Sequence, residues 1–332
     1  MENVEETIGI DVSKKTLDVH LHQKQHHKQF SNDETGYKKI LQWIKSHKVA
    51  ITSAVICFEH TGWYCLHLSY YLHQQQVRYC CVNPMEIKRS IGLKRGKTDK
   101  ADAKEIARYA WLHREELIVS VPPPKKLIEL QRMMSLREQI AKQLRALKCL
   151  EKGMQVLTVN KQTEDVSQAI IADTIYHLEQ QMKKLESAMV SLIKTDSQML
   201  KHYKLSRSVK GVGLVLAVQM LVHTHNYTRF ASWRQFSCYC GLVPFPHQSG
   251  TSINGRMKIH PISDRKMKSL LSMSAISAIQ HDKELKRYYE KRVEEGKPKM
   301  VVLNIIRNKL VSRVFATINR GTPYVELSQF AA

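Results

Sequence analysis

The order of apolar periodicities in the N-terminal stretch most constrains what this chain can fold into. Three short strand patterns come first, TIGIDVS, TLDVHLH and HKQF, within residues 7 to 30. In the second, Leu17, Val19 and Leu21 alternate with polar residues, the period of a half-buried strand. The tight polar connections predict antiparallel neighbours. A helix is expected near Asn32 to Ser46, with Tyr37, Ile40, Leu41 and Ile44 as its apolar stripe. A strand (Ala54 to Phe58), a helix (Trp63 to Gln74) and a strand (Val77 to Val82) follow. Pro84 opens a basic stretch, and another helix is predicted from about Asp99 to His113.

Three strands followed by alternating helices and strands is the order of a ribonuclease-H-like α/β fold, an order that other α/β folds share in part. Four carboxylates sit where such a fold would aim them at one point. Asp11 lies in the strand pattern IGIDVS, and Glu59 ends AVICFE. Asp99 and Asp102 open the helical pattern KTDKADAKEIARYA, three residues apart and so on one helix face. Converging acids repel each other unless cations sit between them. They suggest a site for two magnesium ions about 3.5 to 4 Å apart, clamping a scissile phosphate. A lone Asp is usually a solvated charge, but the apolar neighbours of Asp11 and Glu59 argue against that here. Asp18 and Glu105 are weaker candidates: Asp18 reads as a polar-face strand residue, and Glu105 lies one turn beyond Asp102.

The chain of 332 residues carries 52 Lys+Arg against 30 Asp+Glu, a formal net charge of +22. That excess favours a polyanionic partner, nucleic acid above all. No apolar run reaches the roughly 18 to 20 residues of a membrane span, and MENVEETIGI lacks the order of a secretory signal. A cytoplasmic, nucleoid-associated protein is expected, with its seven cysteines reduced. Its sixteen histidines are scattered and read mostly as solvent-facing.

Four segments are expected: residues 1–120, 121–204, 205–324 and a tail, 325–332. VPPP at Val121 to Pro124 is a stiff linker. Beyond it Leu127, Leu130, Met134, Ile140, Leu144, Leu147 and Met154 form one long stripe. Ile171, Ile175, Leu178, Met182, Leu185, Met189 and Leu192 form a second, stepping by four and three as a heptad seam. Either an intramolecular helical hairpin or self-association fits, and self-association is the favoured reading. The third segment reads as mainly helical. SVKGVG before its first helix resembles a helix-hairpin-helix turn, although Gly-x-Gly also serves as plain helix punctuation. A loop is expected between Gly241 and Pro261, then helices at Ser263 to Gln280, Lys283 to Glu294 and Lys299 to Asn319.

In that loop, Ser249, Thr251 and Ser252 are hydroxyls able to attack phosphorus, yet Ser-Gly is also an ordinary turn dipeptide. Basic residues surround both candidate sites. Lys88, Arg89, Lys94, Arg95, Lys97, Lys100 and Lys104 flank the last two acids, and Arg256, Lys258, Arg265, Lys266 and Lys268 follow Ser249. With Lys210 of the KGVG turn they are candidate phosphate contacts.

IGIDVSK, FEHTG, NP followed by KTDKADA, the KGVG turn, RFASWRQFSCYCGLVP and QSG together resemble the DEDD-type insertion-sequence transposases, the IS110 family, akin to the Piv-type DNA invertases. The resemblance runs from Thr7 to Tyr324. It implies a RuvC-like N-terminal domain, a long helical coiled-coil segment and a mainly α-helical C-terminal transposase domain. It further implies that Asp11, Glu59, Asp99 and Asp102 form a magnesium-binding DEDD tetrad and that Ser249 is the catalytic serine. Partners implied are target and donor DNA and a structured non-coding bridge RNA, with dimers joining into a tetramer whose active site is composite. One stretch, IHPISDRKMKSLL, departs from the family pattern: Pro261 and Asp264 replace a glycine-containing turn. The expected function is therefore an RNA-guided DNA recombinase. The rivals are a RuvC-like junction endonuclease without a covalent intermediate, and a non-catalytic nucleic-acid-binding assembly protein.

Overall fold

The computed structural model describes residues 4–92, 98–157, 166–249 and 253–325. The chain divides into two compact units, Met1–Pro122 and Pro123–Ala332. The first holds strands β1 (Glu6–Val12), β2 (Thr16–Leu21), β3 (His26–Ser31), β4 (Ala54–Glu59) and β5 (Tyr79–Val82). They form one sheet in the order β3-β2-β1-β4-β5. β1, β2 and β3 are antiparallel, while β4 runs parallel to β1 and β5 parallel to β4. Helices α1 (Glu34–Ser46), α2 (Leu66–Gln74), α3 (Pro84–Ile91) and α4 (Asp99–Leu112) complete the unit.

Alternation along the strands decides which layer each residue meets. Ile8, Ile10 and Val12 of β1, Leu17, Val19 and Leu21 of β2, and Ile56 and Phe58 of β4 pack against Ile40, Ile44, Leu68 and Leu72 of α1 and α2. The opposite face meets α3 and α4. There Val55, Cys57, Cys80 and Val82 bury Ile87, Ile106, Tyr109 and Ala110. Burial of a side chain the size of Ile106 stabilises by roughly 1.5–3 kcal/mol. Caps define where helices start: Asp33 accepts from Gly36 N at α1 (2.7 Å), and Thr98 Oγ1 from Ala101 N at α4 (3.2 Å). The basic stretch after Pro84 is itself helical. Asn83 caps α3 through Met85 N (2.9 Å), and Pro84 occupies its first turn, where no N–H is needed.

The second unit opens with two long helices, α5 (Lys125–Leu157) and α6 (Val166–Lys194). They pack antiparallel within the chain, bridged by Arg137–Glu186 (2.7 Å), Lys148–Glu179 (2.5 Å) and Lys126 Nζ to Thr195 O (3.0 Å). Met189 and Ile193 join Leu127, Leu130 and Met134 at the foot of this hairpin. Along it Leu136, Leu150, Ile170 and Tyr176 remain exposed. Next come α7 (Ser197–Arg207), α8 (Leu214–His223), α9 (Trp233–Tyr239), β6 (Phe245–Ser249), β7 (Ile253–Lys258), α10 (Arg265–His281), α11 (Lys283–Glu294) and α12 (Lys299–Arg320). Met220, Phe236, Met267, Leu271, Ile306, Leu310 and Phe315 form their core. The segment expected as a loop contains an antiparallel hairpin, β6–β7, pairing Ser249 with Ile253. Its strands are short, polar and carry Pro246 and Gly255, so no apolar alternation announces them.

Candidate active site

Strand register sets Asp11, Glu59 and Asp18 on neighbouring strands. Ile10 pairs with Phe58, so the next residues, Asp11 and Glu59, end up side by side on neighbouring parallel strands. Asp11 also pairs directly with Asp18 across the antiparallel ladder, which puts both on one face. That face is the one α4 crosses. Thr7 Oγ1 donates to Ala107 O (2.9 Å), and a Cβ added at Gly9 would lie 2.2 Å from Ala103 O and 2.3 Å from Ala107 N. Only glycine lets the helix backbone approach a strand so closely. As β1 runs from Thr7 toward Asp11, the helix runs back from Ala107 toward Asp99. The first turn of α4, with Asp99 and Asp102, therefore lies over the end of β1 that carries Asp11.

The electrostatics register this proximity. The Asp11 carboxyl is pushed up from 3.8 to about 6, by burial first and then by repulsion from Asp102, Asp99, Glu59 and Asp18. Among the described residues, no three His, Cys, Asp or Glu side chains converge closely enough to hold a metal ion. By donor chemistry, four carboxylates suit a hard divalent cation.

Asp18 is buried, 5 % exposed, and is no bystander on a polar face. Its carboxylate pairs with His27 Nε2 (2.8 Å) and accepts from Gln29 Nε2 (2.9 Å). Beside it, a cavity of about 470 Å³ is lined by His20, His27, Lys100 and Lys104, among others. His20 departs from the solvent-facing expectation for the histidines: it is 4 % exposed, and both of its ring nitrogens lack partners. Burial, then Lys104, His27, His22 and Lys100, lower its pKa to about 4, so it is neutral. The signal for this face is present in the sequence: Asp18, His20 and His22 are the residues that alternate with Leu17, Val19 and Leu21.

Ser249 closes β6, and its side chain lies outside the described residues, as does that of Arg256; Thr251 and Ser252 are also outside them. The root of the hairpin is well tied. Asp264 N donates to Tyr239 O (2.9 Å), and the Tyr239 hydroxyl bridges His223 Nδ1 (2.8 Å) and Asp264 Oδ2 (3.2 Å). Asp264, half of the departure from the family pattern, caps α10 by accepting from Met267 N (2.9 Å).

The basic candidates differ in exposure. Lys88, Arg89, Lys100, Lys210, Lys258 and Arg265 are exposed, while Lys94, Arg95 and Lys97 lie outside the described residues. Lys266 pairs with Glu138 (2.9 Å), and Lys268 is half-buried. In the KGVG turn, a Cβ at Gly211 would meet Ser274 O at 2.6 Å and Ala278 Cβ at 2.7 Å, so this glycine, at φ +88°, serves close packing on α10. No helix among the described residues is long and apolar enough to cross a membrane.

Two family models match the chain. One, described as a transposase of the DEDD IS110 type, covers residues 8–160, and the other, the transposase IS116/IS110/IS902 family, covers residues 203–290. The chain belongs to the IS110 transposase family and is a DNA-recombining enzyme. It is 26 % identical to the pilin gene-inverting protein of Moraxella bovis over 323 residues, 96 % of this chain and 97 % of that protein. It is 27 % identical to an uncharacterized 43.6 kDa protein of insertion element IS110 from Streptomyces coelicolor, over 49 % of this chain and 39 % of that protein.

Proposed function

We propose that this transposase is RNA-guided and joins DNA strands through a covalent Ser249 intermediate assisted by magnesium at Asp11, Glu59, Asp99 and Asp102. The observation that supports the acid-cluster part of this reading is geometric: strand register sets Asp11 beside Glu59, and the first turn of α4, with Asp99 and Asp102, lies over that end of β1. The sheet order β3-β2-β1-β4-β5, with one antiparallel and one parallel flank, supports a ribonuclease-H-like assignment for the first unit. Asp11, Glu59, Asp99 and Asp102 would hold magnesium, which when bound would supply charge neutralisation at the scissile phosphate and activation of the attacking oxygen. The surplus of 22 positive charges draws the phosphate backbone of DNA and of the structured bridge RNA. Arg89, Lys100 and the other exposed basic residues contribute non-specific phosphate contacts, so pairing by the RNA reads target and donor sequence. The exposed apolar residues of the α5–α6 hairpin, Leu136, Leu150, Ile170 and Tyr176, favour self-association into dimers and a tetramer. Such an assembly lets the acids of one protomer meet the serine of another.

The chemistry balances without a nucleotide cofactor. The Ser249 hydroxyl oxygen bonds to phosphorus as the bond to one DNA oxygen breaks, and the serine proton ends on that oxygen as a free hydroxyl. After exchange, the hydroxyl of a second strand attacks the phosphoserine ester, and Ser249 recovers its proton. The test uses the protein with its copurified RNA, donor and target DNA, and magnesium. A denaturation-resistant protein–DNA adduct is expected from the parent chain. Ser249→Ala should lose the adduct and keep RNA binding, and Asp11→Asn should lose strand cleavage. Wild-type recombination by Ser249→Ala would overturn the serine assignment, and cleavage with no adduct would favour the junction-endonuclease alternative. Sequencing the copurified RNA tests the guide: its loops should match DNA flanking the gene.

A further inference from the structure

Helix α12 buries a cation for which the described residues supply no counter-charge. Arg307 is 4 % exposed, its Nε has no hydrogen-bond partner, and its Nη1 reaches only the amide oxygen of Asn304 (3.3 Å). Lys268 stands half-buried on the neighbouring helix α10. Burial, and then the Arg307 charge, hold the Lys268 ammonium below the usual lysine range, and burial likewise lowers Arg307. Among the described residues neither side chain is ion-paired with a carboxylate. Arg313, farther along the same helix, shows what this fold does with a partly buried arginine. It pairs with Asp282 (2.7 Å) and Glu284 (2.8 Å). Burying one cation near a second, half-buried one without an acid opposes folding, so this arrangement points to an anion that arrives from outside.

Both cations stand at the root of the β6–β7 hairpin. Asn304, one turn before Arg307, donates Nδ2 to Leu242 O (2.8 Å), just ahead of β6. Lys268 N bonds Asp264 O (3.1 Å), at the start of the helix that follows β7. We propose that Arg307 and Lys268 form a phosphate clamp at this root, which holds a backbone phosphodiester of the DNA strand that Ser249 attacks at the hairpin's far end. The planar guanidinium matches two phosphate oxygens, and Lys268, nearer solvent, acts as the point charge that guides the phosphate in. The role given to Ser249 rests on the proposed function; the anion site stands on the unpaired cations.

Arg307→Met and Lys268→Met in the full chain provide the test, with three readings. The first is the melting temperature without nucleic acid. Removing an unpaired buried charge should leave it unchanged or raise it, whereas an arginine kept for structure would lower it on replacement. The second is the melting shift produced by inorganic sulfate over chloride at matched ionic strength, present in the parent and absent in Arg307→Met. The third is binding to a mixed-sequence DNA duplex across a salt series. Arg307→Met should bind about tenfold more weakly, with a salt slope smaller in magnitude by about 1. Equal sulfate shifts in parent and variant, or an unchanged affinity and slope, would overturn the clamp. If the parent itself fails to bind DNA, the functional reading falls, while the sulfate reading still judges the anion site. If sulfate and DNA both respond as stated but the Ser249 adduct never forms, the clamp stands and the serine chemistry does not.

Discussion

Replacing Asp11 by asparagine tests the acid cluster without relying on turnover. Folding raises this carboxyl from 3.8 to about 6, by burial and by four neighbouring carboxylates. The consequence for stability has a definite sign. Below the unfolded value both states hold the proton and nothing is lost. Between 3.8 and about 6 the folded state holds it preferentially, so stability falls as pH rises. Above about 6 the full penalty of burying the anion beside other anions stands. A rise of about two units, at about 1.4 kcal/mol each, sets a ceiling near 3 kcal/mol. Asp11 is partly exposed, and solvent screening reduces the expected figure to about 1–2 kcal/mol. The uncharged Asp11→Asn variant escapes this penalty. In chelator at about pH 8 it should be more stable than the parent by that amount, and at about pH 3 the two should agree within about 0.5 kcal/mol. Urea denaturation across that pH range measures both. Added magnesium should stabilise the parent and do less for the variant. A variant less stable than the parent at high pH, or a difference that ignores pH, would show that the acids do not share a site.

Two further substitutions probe how the fold holds its sites. Gly9→Ala puts a methyl group 2.2 Å from Ala103 O, so α4 must lift; a loss of about 3 kcal/mol is expected, and parent-like melting would contradict the close approach. Arg313→Met strands the Asp282 carboxylate, 2 % exposed, without its partner; about 3–5 kcal/mol should be lost in denaturant titration, and a loss under about 1 kcal/mol would refute the pairing. The contrast with Arg307→Met, which should lose nothing, is informative because both arginines lie on one helix.

What the sequence reveals depends on whether a residue speaks through its neighbours in the chain or in space. Asp11 and Glu59 are legible because each follows an apolar strand run, and Asp99 and Asp102 because three residues span one helix turn. Asp18 is underrated, and His20 missed, for a subtler reason. In TLDVHL the polar positions look solvated, yet a second layer, α4, covers that face of the sheet. Arg307 gives no local signal at all: in NIIRNKL it reads as one more basic residue, and only the packing of α10 on α12 makes it buried. The β6–β7 hairpin hides because short polar strands look like loops, and α3 because lysine and arginine obscure its amphipathic face.

The absence of a side chain at Gly9 has a consequence for how this enzyme can vary. Because α4 touches β1 through main-chain atoms, the spacing between Asp102 and Asp11 is set by the two backbones rather than by the filling between them. Related chains are thus free to exchange the apolar residues under α4, and an engineer to repack them, with little detuning of the acids. The latitude ends at Gly9, where even a methyl group would push α4 off the strand.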